Sequence, residues 1–205
     1  MNNLFLDTCA GSLGIGIDKN GEVMLSEQAF GKKTAEELFP VLLSDLKKVD
    51  LRLNDIEQIF VTRGPGSYTG ERLGLTVAKV LATLNHALKV YTCSTLRALA
   101  PEQGNCVTLI DARNQAFFAG FYIDGNFLIE EHRADITEID AYVACHGSQI
   151  IIGRFDSKAE LTLQSRNFQK RSILEGMMQL SSDHFVFEED PLTIIPVYMH
   201  GQDRK

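Results

Sequence analysis

The sequence predicts an α/β protein of two lobes, each a sheet with flanking helices. Two observations point there. Over the first hundred residues, segments of strand and helix pattern follow one another in the order β-β-β-α-β-α-β-α, and after Pro101–Asn105 three strands, a helix and a strand begin again. A glycine-rich turn (Gly64, Gly66, Gly70) also stands between the strand-like Ile59-Phe60-Val61 and an apolar helix, so the backbone there must come close to something.

The elements can be justified in order. Leu4-Phe5-Leu6 opens as a strand, and Leu13–Ile17 and Glu22–Leu25 form a hairpin around Asp18-Lys19-Asn20-Gly21. Residues 34–48 are a helix with Leu38, Leu42, Leu43 and Leu46 at helical spacing, Glu36-Glu37 in the first turn and Lys47-Lys48 in the last, as the helix dipole favours. Pro40 is expected near its start, where a missing N–H costs least. A strand at 59–62, the glycine turn, a helix at about 69–86 and a strand at 90–93 follow. Ser94 then caps a helix at 95–100. Pro101–Asn105 is the expected hinge, dividing a first lobe (1–100) from a shortened second one (101–205). Beyond it come strands at 107–110, 116–122 and 127–131, an Asp124-Gly125 turn, a helix near 136–144 and a strand at 150–152. Two such lobes facing each other are the architecture of actin, sugar kinases and the Hsp70 ATPase.

Composition narrows the function. The chain has 205 residues, 44% of them hydrophobic, a formal net charge of −7 and a pI near 5.2. This argues against a broad basic surface that would wrap nucleic acid unaided. With no apolar run of transmembrane length, a soluble cytoplasmic protein without membrane contact is expected. Cys9, Cys93, Cys106 and Cys145 form no CxxC pair and read as buried, reduced thiols. The five histidines make no HxxH, HxxxH or HExxH, so no helix presents a metal-binding pair. Ser67 in GSYTG lacks the spacing of a nucleophile elbow.

The glycine turn fits neither standard phosphate fingerprint. GxxxxGK[ST] is absent, and the third glycine comes one residue late for GxGxxG. Glu71 at the helix entrance would repel a phosphate. Along the helix, Gly70, Gly74, Ala78 and Ala82 recur at i+4 and make a stripe on which another backbone can approach closely, while Leu73, Val77, Val80, Leu81 and Leu84 cover a different arc. Three readings stay open: a helix buried within a monomer, a partner-binding face, or a ligand cradle. The partner-binding reading assigns Gly70, Leu73, Gly74, Val77, Ala78, Leu81 and Ala82, with Leu38 and Leu42 of the first long helix. Asp7, after the first strand, either helps place a metal–nucleotide or closes an Asx-turn, and Asp111 holds the equivalent place in the second lobe, with Arg113 as a local partner.

LDTCAGSLGIG, RGPGSYTGERLGLTVAKVLA, STLRALA, IDARNQAFFAGFY and a terminal PVYM occur in that order, and on these motifs the chain resembles the bacterial TsaB (YeaZ) family. The resemblance implies an actin-like (ASKHA) fold with a reduced second lobe, and a subunit that is not itself the enzyme. It implies pairing with the catalytic paralog TsaD through helices of the first lobe, here 34–48 and 69–86, and docking of the ATPase TsaE on that pair. The product is threonylcarbamoyladenosine in tRNAs reading codons that begin with A, with tRNA reached indirectly through the complex. Alone, two copies would form a homodimer. No resident cofactor is implied, Asp7 and Asp111 marking at most a vestigial nucleotide site, although a nucleotide could lodge at the partner interface. The rivals are an ATP-dependent phosphotransferase of the same fold, which would need Asp7 to hold metal, and a glycoprotease-like peptidase.

Overall fold

A computed structural model of the protein describes residues 1–29, 34–153 and 161–199. Leu4 and Leu6 of β1 (Asn2–Asp7) point to one side of a sheet and Phe5 to the other, and all three are buried, so the sheet is covered on both faces. β1 pairs antiparallel with β2 (Ser12–Lys19), which continues antiparallel into β3 (Glu22–Ala29). On its other side β1 runs parallel to β4 (Gln58–Thr62), and β4 parallel to β5 (Lys89–Cys93).

The second sheet repeats this plan. β6 (Asn105–Asp111) pairs antiparallel with β7 (Phe117–Ile123), and β7 with β8 (Asn126–Ala134). β6 also runs parallel to β9 (Gln149–Ile152), and β9 to β10 (Phe168–Lys170). The strand orders β5-β4-β1-β2-β3 and β10-β9-β6-β7-β8 are thus equivalent, as the repeated element order predicts. The first sheet gains one more strand from a segment that follows the second sheet: β11 (Val186–Phe187) lies antiparallel beside β5.

Helices separate three apolar layers. α1 (Thr34–Lys48) and α2 (Tyr68–Leu84) cover one face of the first sheet, where Leu38, Leu42, Leu75 and Ala78 pack with Leu4, Leu6 and Ile59. α3 (Thr95–Leu99) and α5 (Ile173–Gln179) fill the middle, bringing Leu96, Leu99, Leu174 and Met177 against Phe5 of the first sheet and Phe118 and Tyr122 of the second. α4 (Ile136–His146) closes the far face, setting its Ile139 with Phe117 and Phe121. Pro40 is well inside α1, past the first turn expected for it, so α1 forgoes one interior hydrogen bond.

The middle layer also holds a polar tie that the sequence does not announce. Ser94, the N-cap of α3, and Tyr122 of β7 (2.7 Å) both donate to the Glu131 carboxylate of β8. Burial raises the Glu131 pKa, and these two donors oppose the rise. Buried Arg97 donates to the Ala100 carbonyl (3.0 Å) and pairs with Glu102 at 3.0 Å. Among the described residues no helix is long and apolar enough to cross a membrane.

Candidate functional site

The glycine turn approaches the chain's own β1–β2 turn. Gly66 sits so close to it that a Cβ there would lie 2.3 Å from the Cys9 carbonyl oxygen, and Ser67 N–H donates to that oxygen at 2.7 Å. One residue earlier in that turn, the Thr8 hydroxyl enters the backbone ladder of α2. It donates to the Gly70 carbonyl at 2.6 Å and accepts from Gly74 N–H at 3.0 Å. Glycine is required at both helix positions: a Cβ on Gly70 would fall 1.8 Å from the Thr8 carbonyl oxygen, and one on Gly74 would fall 2.7 Å from the Thr8 hydroxyl.

The start of α2 is closed from within. Ser67 Oγ accepts from Gly70 N–H at 3.0 Å and so caps the helix, a role the sequence reading of Ser67 did not include. Ser67→Ala should lower stability by about 1 kcal/mol, seen as a lower urea midpoint at unchanged slope. Glu71 folds back so that Oε1 accepts from Gly66 N–H at 2.7 Å, while Oε2 is buried without a hydrogen bond. Burial pushes its pKa up to about 7, against the lowering effect of the Gly66 bond.

Asp7 is buried, and Oδ1 accepts from the Thr62 hydroxyl at 2.6 Å and from Cys9 N–H at 3.1 Å. The second contact is the Asx-turn, and the first joins β1 to β4. Burial, and then Asp7, raise the Cys9 thiol far above its usual range, leaving it a small apolar side chain. Asp111 makes the corresponding turn, accepting from Arg113 N–H at 2.7 Å, a backbone contact in place of the expected side-chain pair. Residues 113–115 all have positive φ (63°, 53° and 61°).

The partner-face assignment from the sequence needs correction. Gly70, Gly74, Ala78 and Ala82 face the chain's own sheet and β1–β2 turn, where Gly74 meets Thr8 and Val61. Val77, Leu81, Leu38 and Leu42 are buried in the same core. The i+4 stripe of small residues is real, but what approaches it is the protein's own backbone. Only Leu73 of the assigned set is half-exposed. The outward face of α2 carries Tyr68, Arg72, Thr76, Val80, Thr83 and Leu84, with Val80 42% and Leu84 72% exposed. Periodicity reveals that α2 is apolar on more than one side, but not which side meets the sheet.

Residues 194–198 run over this site. Ile194 is buried in the α1–α2 core, and Val197 N–H donates to the Arg63 carbonyl at 2.8 Å. The Tyr198 ring lies 5.5 Å from that of Tyr68. The terminal PVYM motif is therefore a strap on the glycine turn.

Comparison with known proteins agrees with this construction. Residues 28–148, more than half of the chain, match the family model described as TsaD: tRNA N6-adenosine threonylcarbamoyltransferase. The chain is 28% identical to an uncharacterized Mycoplasma genitalium protein, over 96% of this chain and 93% of that one. It is 32% identical to the tRNA threonylcarbamoyladenosine biosynthesis protein TsaB of Bacillus subtilis, over 64% of this chain and 59% of that protein's length. A solved Pseudomonas aeruginosa structure, described as an uncharacterized protein with similarity to peptidase YeaZ, shares the fold at a TM-score of 0.76 and 18% identity, covering 97% of this chain and 99% of that one. The chain belongs to the family of that model, and within it is a TsaB (YeaZ)-like protein.

Proposed function

We propose that the chain is a non-catalytic subunit of a complex that makes threonylcarbamoyladenosine in tRNAs reading codons that begin with A. It binds and stabilises a TsaD-like catalytic paralog, and the pair recruits a TsaE-like ATPase, with tRNA held by the complex. The fold assignment that goes with this reading is actin-like with a reduced second lobe that begins near residue 100, while β11 and Ile194 return to the first lobe. The observation that carries the pairing is the outward face of α2. Leu73, Val80 and Leu84 form an apolar stripe on a helix whose opposite face is already seated on its own sheet, so this stripe is free to cover a second surface. In the absence of the paralog, two copies pair through the same stripe.

The phosphotransferase reading is weaker for a structural reason. It needs Asp7 and its turn free to meet a metal–nucleotide, whereas the Asp7 carboxylate is buried under Thr62 and the turn is packed beneath the first turns of α2. The peptidase reading would use Ser67, whose hydroxyl instead caps α2.

Co-purification with the catalytic paralog tests the pairing. Val80→Arg and Leu84→Glu should reduce its recovery at least tenfold while the melting temperature of the isolated chain stays within a few degrees. Ala78→Glu, on the inward face, should instead unfold the protein. Undiminished recovery with both outward variants would sink the assignment. Micromolar ATP binding by the isolated chain would favour the phosphotransferase.

A further inference from the structure

We propose that Arg72 is the polar anchor of the α2 interface and receives a carboxylate side chain of the protein partner, an inference that rests on the pairing reading above. Arg72 is exposed yet held in one place. Its guanidinium carbon lies 4.0 Å from the Tyr68 ring centre and 5.7 Å from that of Tyr198. Its Nε donates to the Tyr198 hydroxyl at 2.8 Å. Its side-chain partners among the described residues are the Tyr68 and Tyr198 side chains, neither of them a carboxylate, so the guanidinium is oriented while its charge has no ion-pair partner there.

The surroundings select the sign of what it meets. The only acidic residue of α2 is Glu71, and it faces inward and is fully buried. Residues 191–199, which supply Tyr198, contain no charged side chain. An anionic group is therefore the complement, although the whole chain is acidic. Arg72 is also continuous with the apolar stripe, since 72, 76, 80 and 84 follow at i+4, and Tyr–Arg clusters beside apolar contacts are the usual composition of binding hot spots. Because Arg72 is positioned before binding, little side-chain entropy is lost when the carboxylate arrives. The PVYM strap thereby acquires a role in binding, since its tyrosine fixes the anchor.

Calorimetric titration of the full chain with the purified catalytic paralog, at low and high salt, tests the anchor. Arg72→Ala should weaken binding about tenfold and flatten the salt dependence, and Arg72→Lys should not restore it, because an ammonium lacks the fork. Tyr198→Phe keeps the ring and loses the Nε bond, and should give an intermediate loss. Each variant is checked by its melt and by hydrogen exchange over 191–199. If Arg72→Ala and Arg72→Lys both bind within twofold of the parent while Val80→Arg abolishes binding, the anchor is wrong and the pairing reading stands. If Val80→Arg, Leu84→Glu and the Arg72 variants all bind normally, both fail. A loss confined to tRNA retention, with pairing intact, would also overturn the proposal, since the anion would then be phosphate.

Discussion

Gly70→Ala should unfold the protein or come close to it. The added carbon would stand 1.8 Å from the Thr8 carbonyl oxygen, a backbone atom that no side-chain rotation can move. Helix propensity alone would favour alanine by about 1 kcal/mol, so the sign of the result separates local preference from packing. Relief requires moving the β1–β2 turn away from α2. That would break the Thr8 bonds to Gly70 and Gly74 and the Ser67–Cys9 backbone bond together. Overpacking of this kind costs about 3 kcal/mol or more, a large share of the stability of a domain. Urea denaturation followed by circular dichroism measures it, with Thr76→Ala on the exposed side of α2 as the control, expected within about 0.5 kcal/mol of the parent. A Gly70→Ala protein with an unchanged midpoint would mean that α2 does not lie on Thr8.

The second large effect is a pH dependence centred on Glu71. Its pKa rises from 4.5 to about 7 on folding because its carboxylate is buried with one unbonded oxygen. Below pH 4.5 the group is protonated in both folded and unfolded chains and contributes no pH dependence. Between 4.5 and about 7 the unfolded chain has released the proton while the folded one retains it, so stability falls as pH rises. Above 7 both forms are ionised and the penalty is complete, at roughly 3 kcal/mol from 1.36 kcal/mol per pKa unit. Glu71→Gln should accept the Gly66 N–H as before and remove this slope. The stability difference between variant and parent should therefore move by that amount in favour of the variant from pH 4.5 to 8. Comparing the two proteins isolates Glu71 from Glu131, whose pKa is also raised by burial. Parallel stability–pH profiles would rule the assignment out.

Much of the fold was legible in the chain. The alternation around Leu4–Leu6, the Asp18–Gly21 turn, the leucine spacing of α1 and the Ser94 cap place elements within a few residues of where they lie. The failure of both nucleotide fingerprints was legible too, because spacing is a property of the chain. The partner face was not. Gly70, Gly74, Ala78 and Ala82 announce a close approach, yet a small side chain carries no label for what approaches, and the approaching group, Thr8, lies 62 residues away from Gly70.

The same limit holds for the buried polar groups. Nothing local distinguishes Glu71 from an exposed first-turn glutamate that favours the helix dipole; only the descent of the Gly64–Gly66 turn onto Cys9 removes it from water and raises its pKa. Nor does PVYM, read alone, indicate that its tyrosine reaches Arg72, 126 residues earlier. The order and period of the elements, the repeat of one sheet plan and the family all follow from neighbours along the chain, and the amino-acid order suffices for them. Which face of α2 is core and which is free follows only from the folded arrangement, because it depends on where a distant backbone comes to rest.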